Sequence, residues 1–208
     1  MPVNLFLGRK PSQFSFHPVV KYFIFSETLL WAGWNFFTPI FAAFVITEIK
    51  DAGLESAATA YSLHLLTRIF FELFSARFLY RASRAQQLKV TVGGILLLSL
   101  GYLGLSFTRH LAPLFFFYSL VGGAIGLSSP GKMALFSMHL DKNKESWEWG
   151  LRDASVFSGM AFASALGGFV AKEYGFHSLF LFSALINLTA LIPYFLIYKS
   201  FQSIKQKQ

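Results

Sequence analysis

Six long apolar stretches, at residues 19–46, 57–80, 90–108, 111–140, 153–171 and 178–198, occupy most of this chain, and polar residues collect in the short gaps between them. A helix needs about 20 mostly apolar residues to cross the hydrocarbon of a bilayer, and every stretch supplies that length or comes close to it. The pattern predicts an all-α integral membrane protein, a bundle of six transmembrane helices. It leaves no room for a second domain. Residues 1–208 are read as a single membrane domain with short cytoplasmic tails at 1–16 and 201–208.

Small residues recur within these stretches at helical spacing. The fifth has Ser155, Gly159, Ala163 and Gly167 four apart, the fourth has Gly122 and Gly126, and the third has Gly93, Gly94, Gly101 and Gly104. In lipid, such positions let helix backbones approach closely. Pro39, Pro130 and Pro193 fall inside the first, fourth and sixth stretches and are expected to bend or interrupt them. These features predict tight packing without naming a cargo.

Charge sharpens the picture by where it lies. With the N-terminus in the cytoplasm, fourteen basic residues fall on the inner side, while Lys50, Arg109 and Lys172 alone fall outside and Arg68 lies within a helix. That asymmetry follows the positive-inside rule, so both termini are expected in the cytoplasm of a cell-membrane protein. The net charge of +8 is therefore a topology signal, with some attraction to membrane lipid, and no nucleic-acid partner is expected. Only 13% of residues are charged, against about one-quarter in soluble domains. The chain has no Cys, and its five His are scattered, so no metal site and no cofactor is expected. No hydrolase triad or phosphate loop stands out, and an enzyme is not expected.

Ionisable residues inside a membrane are costly, which makes them the leading functional candidates. His64, Arg68 and Glu72 stand four apart on one helical stripe, with Glu27 and Asn35 on the first stretch. Arg68 is expected to pair with Glu72 or Glu27. These five are the candidates for a substrate or proton pathway: Arg68 for an anionic group, Glu27 or Glu72 for proton exchange, His64 assisting. The competing reading is an Arg–Glu pair that only pins two helices. Lys132 is expected to snorkel to the inner interface. Asp153, at the start of the fifth stretch, is expected to pair with Arg81 or Arg84.

Four stretches carry a resemblance to a known family. Residues 72–84 run from the second helix into a basic loop that resembles the pattern Gly-x3-Asp-Arg-x-Gly-Arg: Ala76 and Ser83 stand at the glycines, Tyr80 replaces the acid, and Arg81 and Arg84 remain. Residues 122–131, the run from Gly159 through Gly167 and Gly168 to Gly175, and residues 179–184 are similar to the fourth, fifth and sixth helices of the same family. The chain resembles one six-helix half of a major facilitator superfamily transporter. The resemblance implies movement of a small solute by alternating access, with Arg81, Arg84 and Asp153 as inner-loop gating candidates. It also implies a partner, either a second copy in a homodimer or another six-helix half, because such transporters pair two halves about an axis along the membrane normal. The altered loop motif and the half length favour the alternative, a non-transporting membrane assembly module or a degenerate facilitator-like protein.

Overall fold

The computed structural model describes residues 17–196, and the two tails lie outside the described residues. Its helices are α1 (Pro18–Asn35), a 3-10 turn (Thr38–Ile40), α2 (Phe41–Glu48), α3 (Leu54–Leu79), α4 (Arg84–Ser106), α5 (Leu111–Ser137) and α6 (Glu145–Thr189). Local chemistry sets several of these ends. Pro18 sits at the first turn of α1, where its missing N–H costs nothing, and the His17 ring accepts a hydrogen bond from the Val19 amide. Ser83 and Gln86 cap the start of α4 reciprocally.

The helices do not match the six apolar stretches one to one. Pro39 splits the first stretch at the 3-10 turn. The fifth and sixth are two helical arms joined across a kink, together α6, whose 45 residues would extend roughly 70 Å if straight, far beyond a hydrocarbon core of about 30 Å. The run folds back at Gly175, where φ is +78° and ψ is 169°. A side chain there would be strained, so the turn depends on glycine. Four helical segments among the described residues are long and apolar enough to cross a membrane: Pro18–Glu48, Arg84–Ser106, Leu111–Ser137 and Glu145–Leu196. Helix α3 has the length, but His64, Arg68 and Glu72 dilute its apolar run. The six apolar stretches thus appear as a split first segment, three single helices and the two arms of α6, which meet at Gly175 in the gap between the fifth and sixth stretches. Pro130 lies inside α5, which continues through it.

Helix α5 forms the spine of the bundle, with α3 and α4 against it, while α1 packs on α6 and α4 on α6. Glycines allow the closest approaches. Gly122 and Gly126 bring α5 against the carbonyls of His64 and Arg68 on α3, and Gly167 brings α6 against the Phe36 carbonyl. A Cβ at any of the three would collide with backbone, so the helix–helix distance itself is encoded in these residues. Gly93 and Gly168 meet nothing nearby, so not every glycine in the pattern is spent on packing.

Between the helices lies an aromatic core. Phe37, Phe44, Tyr102, Tyr118 and Phe180 are all buried, and the Phe41 ring stacks on Tyr118 at 4.1 Å. Outside, the bundle presents Leu66, Phe70, Leu100, Phe162, Phe182 and Ile192 on its surface. So much exposed apolar bulk suits lipid as solvent.

Candidate functional site

The polar groups of the bundle form two separate constellations. The first is closed. Glu27 on α1 is fully buried, and each of its oxygens takes a cation: Lys132 Nζ of α5 donates to Oε1 at 2.7 Å, and Arg152 Nη2 of α6 donates to Oε2 at 2.6 Å. The Trp31 indole N–H, one turn on, also donates to Oε2 at 3.3 Å. Arg152 reaches back to Asp153 through its other nitrogen at 2.7 Å. One carboxylate therefore ties three helices together. Two cations facing one buried anion are held by charge-assisted bonds, each roughly twice as strong as a neutral one.

This corrects two expectations and decides between the two partners expected for Arg68, which takes Glu72. Lys132 does not snorkel; its side chain is 6% exposed and ends on Glu27. Glu27 pairs with Lys132 and Arg152, not with Arg68. Asp153 pairs with Arg152, its neighbour, rather than with Arg81 or Arg84. Sequence reasoning placed Lys132 at the membrane edge and did not single out Arg152 as a partner. Their signal was present: a Lys one residue beyond Pro130-Gly131 lies on a span, and a buried Glu needs partners.

Beside Lys132 lies a small cavity of about 20 Å³, room for about one water molecule, edged by Trp31, Trp34, Tyr102 and Ser128. The buried Tyr102 hydroxyl has no hydrogen-bond partner among the described residues.

The second constellation is open. Arg68 and Glu72 pair along α3 at 3.6 Å, with side chains 30% and 44% exposed. The Arg68 guanidinium stands 5.9 Å from the Trp31 ring centroid, a cation–π contact between α3 and α1. His64, one turn away, belongs to the core instead: it is buried, its Nδ1 lies 3.2 Å from the Tyr118 carbonyl, and its ring stacks against Trp34 at 4.7 Å and Tyr118 at 4.9 Å. Asn35 also turns to packing, donating to the Met160 carbonyl at 3.1 Å and to the Ser164 hydroxyl. The five expected pathway residues thus divide among an open pair, a closed cluster and two packing contacts.

With this geometry in place, comparison with known families decides the lineage. A sequence model of the Major Facilitator Superfamily matches residues 23–207. The chain belongs to the Major Facilitator Superfamily. A transporter-like role in a multi-pass membrane protein follows from that membership. No curated protein sequence matches the chain. Among solved structures, it is similar to the POT family transporter PepTSo determined in meso, with a TM-score of 0.76 at 16% identity. The match covers 89% of this chain and 38% of that one, so this chain spans well under half the length of that transporter.

The superfamily loop motif lies on the connection from α3 to α4. Tyr80, at the position of the motif's acid, is 71% exposed, and the Arg81 guanidinium lies over its ring at 5.6 Å. An arene stands where the motif offers a carboxylate, so Arg81 meets a π-face rather than a charge.

Proposed function

We propose that this chain is one half of a transporter that moves a small solute by alternating access, with a second six-span half supplying the opposite wall. Counting the two arms of α6 separately, the chain makes six crossings, with both termini in the cytoplasm of a cell-membrane protein. The observation that carries the reading is the partly exposed Arg68–Glu72 pair on α3, which the six-crossing topology proposed here carries through the bilayer. Lipid is a poor neighbour for such a pair, while a polar cavity is a good one. Arg68 keeps nitrogen donors beyond the one facing Glu72, so it suits a carboxylate, phosphate or other anionic group on the solute. Glu72 beside it is the group placed to take up or release a proton as the solute anion arrives. Arg81, Arg84 and Asp153, at the cytoplasmic ends of α3, α4 and α6, act in gating.

Within this reading the closed cluster holds α1, α5 and α6 together as a rigid unit, so that the half moves as a body. The test is uptake in proteoliposomes, with a proton-sensitive dye inside, across a panel of small anionic solutes. Proton flux that depends on a solute and vanishes in Arg68→Ala, with the variant still folded, supports the proposal. Flux absent from every solute in folded protein would support the non-transporting assembly module, which the aromatic substitution at Tyr80 favours.

A further inference from the structure

The cavity beside Lys132 lies between α1, α4 and α5, and the chemistry of its wall is one-sided. Apart from aliphatic side chains, the described residues that line it are Trp31, Trp34, Tyr102, Ser128 and Lys132: one cation and no carboxylate. Two of these groups approach the space from opposite ends. Gly94 packs on Ser128 and Gly101 on Val121, so α4 and α5 run antiparallel. Side chains on a helix lean toward its N-terminus. Tyr102 therefore leans toward the level of Leu98 on α4, and Lys132 toward the level of Ser128 on α5, each toward the other.

Neither group has its donors used up among the described residues. The Tyr102 side chain is fully buried, and its hydroxyl has no partner there. The Lys132 ammonium gives one hydrogen to Glu27 Oε1 at 2.7 Å and carries more. Its charge is only partly cancelled, because Glu27 is shared. Arg152 takes Oε2 at 2.6 Å, and the Trp31 N–H reaches the same oxygen. Asp153 meets Arg152 through its other terminal nitrogen and is 49% exposed, so solvent screens much of that carboxylate. The buried groups stand at two cations to one carboxylate. Water in the cavity would satisfy the donors and leave the excess charge, whereas an anion answers both.

We propose that this cavity is a binding site for one small monovalent anion of about the size of chloride. Lys132 Nζ donates to it from α5 and the Tyr102 hydroxyl from α4. With a volume of about 20 Å³ the cavity holds a single ion of that size and is too small for a phosphate or an organic acid. The site is thus separate from the Arg68–Glu72 pair, and the inference does not depend on the transport reading. Glu27 already ties α1, α5 and α6; the bound anion adds α4 to that set.

A ligand that binds only the folded state stabilises it by mass action, so the melting temperature reads occupancy. Purified protein is melted in mixtures of sodium chloride and sodium gluconate at fixed total concentration, which holds screening constant. The expected result is a saturable rise in melting temperature with chloride. Tyr102→Phe keeps the ring and loses the donor, and it should raise the half-saturating chloride concentration at least tenfold. No difference between chloride and gluconate overturns the proposal and leaves the cavity to water. A rise unchanged in Tyr102→Phe overturns it too, since the anion then binds elsewhere on the basic surface. A second measurement does not require Tyr102→Phe to fold. The chain has four tryptophans, and Trp147→Phe with Trp149→Phe leaves Trp31 and Trp34, both on the cavity wall, as its emitters. Bromide, a heavy-atom quencher, should quench that emission saturably, and chloride should restore it at equal ionic strength. Quenching that grows linearly with bromide and ignores chloride is collisional and removes the site.

Discussion

The Glu27 cluster and the Arg68–Glu72 pair use the same side-chain chemistry at similar depth, and burial sets them apart. Glu27 is sealed by cations from two other helices, whereas Arg68 and Glu72 lie on one helix and stay partly open. A buried ion pair is no bargain against apolar packing, yet breaking it by removing one member strands a charge in a medium that solvates it badly. An open pair on one helix costs little to lose. Intramembrane charge alone therefore does not mark a transport site. The closed cluster reads as architecture, and the open pair as the surface left for a ligand.

That contrast is breakable at several points. The largest effect is expected from Glu27→Ala, which leaves Lys132 and Arg152 facing each other in the core: folded protein should lose about 3–5 kcal/mol, read as a fall in melting temperature in detergent. Replacing Glu27 with Leu and both Lys132 and Arg152 with Met should recover much of that loss; failure to recover would mean the three charges do more than neutralise one another. Next comes Gly122→Leu. Its side chain would strike the His64 carbonyl, and forcing α3 away from α5 should cost about 1–3 kcal/mol. Thermal unfolding of Gly93→Leu, at a glycine with open space around it, is the matched control and should barely change.

Arg68→Ala sharpens the comparison from the other side. Stability should shift by no more than about 1 kcal/mol, while solute-driven proton flux disappears. Equal loss of folded protein would place Arg68 with the architecture.

The smallest effect belongs to the basic end of the bundle, where burial, with Arg84 and His17 nearby, holds the His139 imidazole below its ordinary value. Its ring lies 5.6 Å from that of His17. The unfolded chain takes up this proton below about pH 6.5, before the folded one does. Stability should be full above that pH and decline as pH falls through it. A melting series from pH 7.5 to 5 should show a slight slope that His139→Phe removes; a slope unchanged in that variant would assign it elsewhere.

Much of the fold was legible because lipid simplifies the code. Apolar length located the spans, and the glycines at 122, 126, 159 and 167 located close approaches that the structure then makes. The reversal at Gly175 falls in the gap between the fifth and sixth stretches, and Pro39 interrupts the first; hydropathy gives how far a segment can reach, while the form of each turn comes from the single residue that reverses or tightens the chain. The site was harder. Spacing of four correctly put Glu72 beside Arg68, because that contact lies within one helix. It could not pair Glu27 with Lys132, which is 105 residues away and becomes a neighbour only when α1 and α5 dock. Lys132 in particular looked like an interfacial lysine because sequence gives depth along a helix but not the direction in which the helix faces.

The turn at Gly175 has a consequence for how the chain is made. A reversal at one residue gives the insertion machinery almost no hydrophilic stretch to carry over: the local charges are Lys172 and Glu173, which pair at 3.3 Å. In the six-crossing topology proposed above, the arms of α6 would enter the bilayer as one hairpin, neither stopped nor inverted alone. Biogenesis then makes one orientation decision for this part of the chain rather than two, and a bulky residue at Gly175 would be felt first at the ribosome, before any packed bundle exists to be weakened.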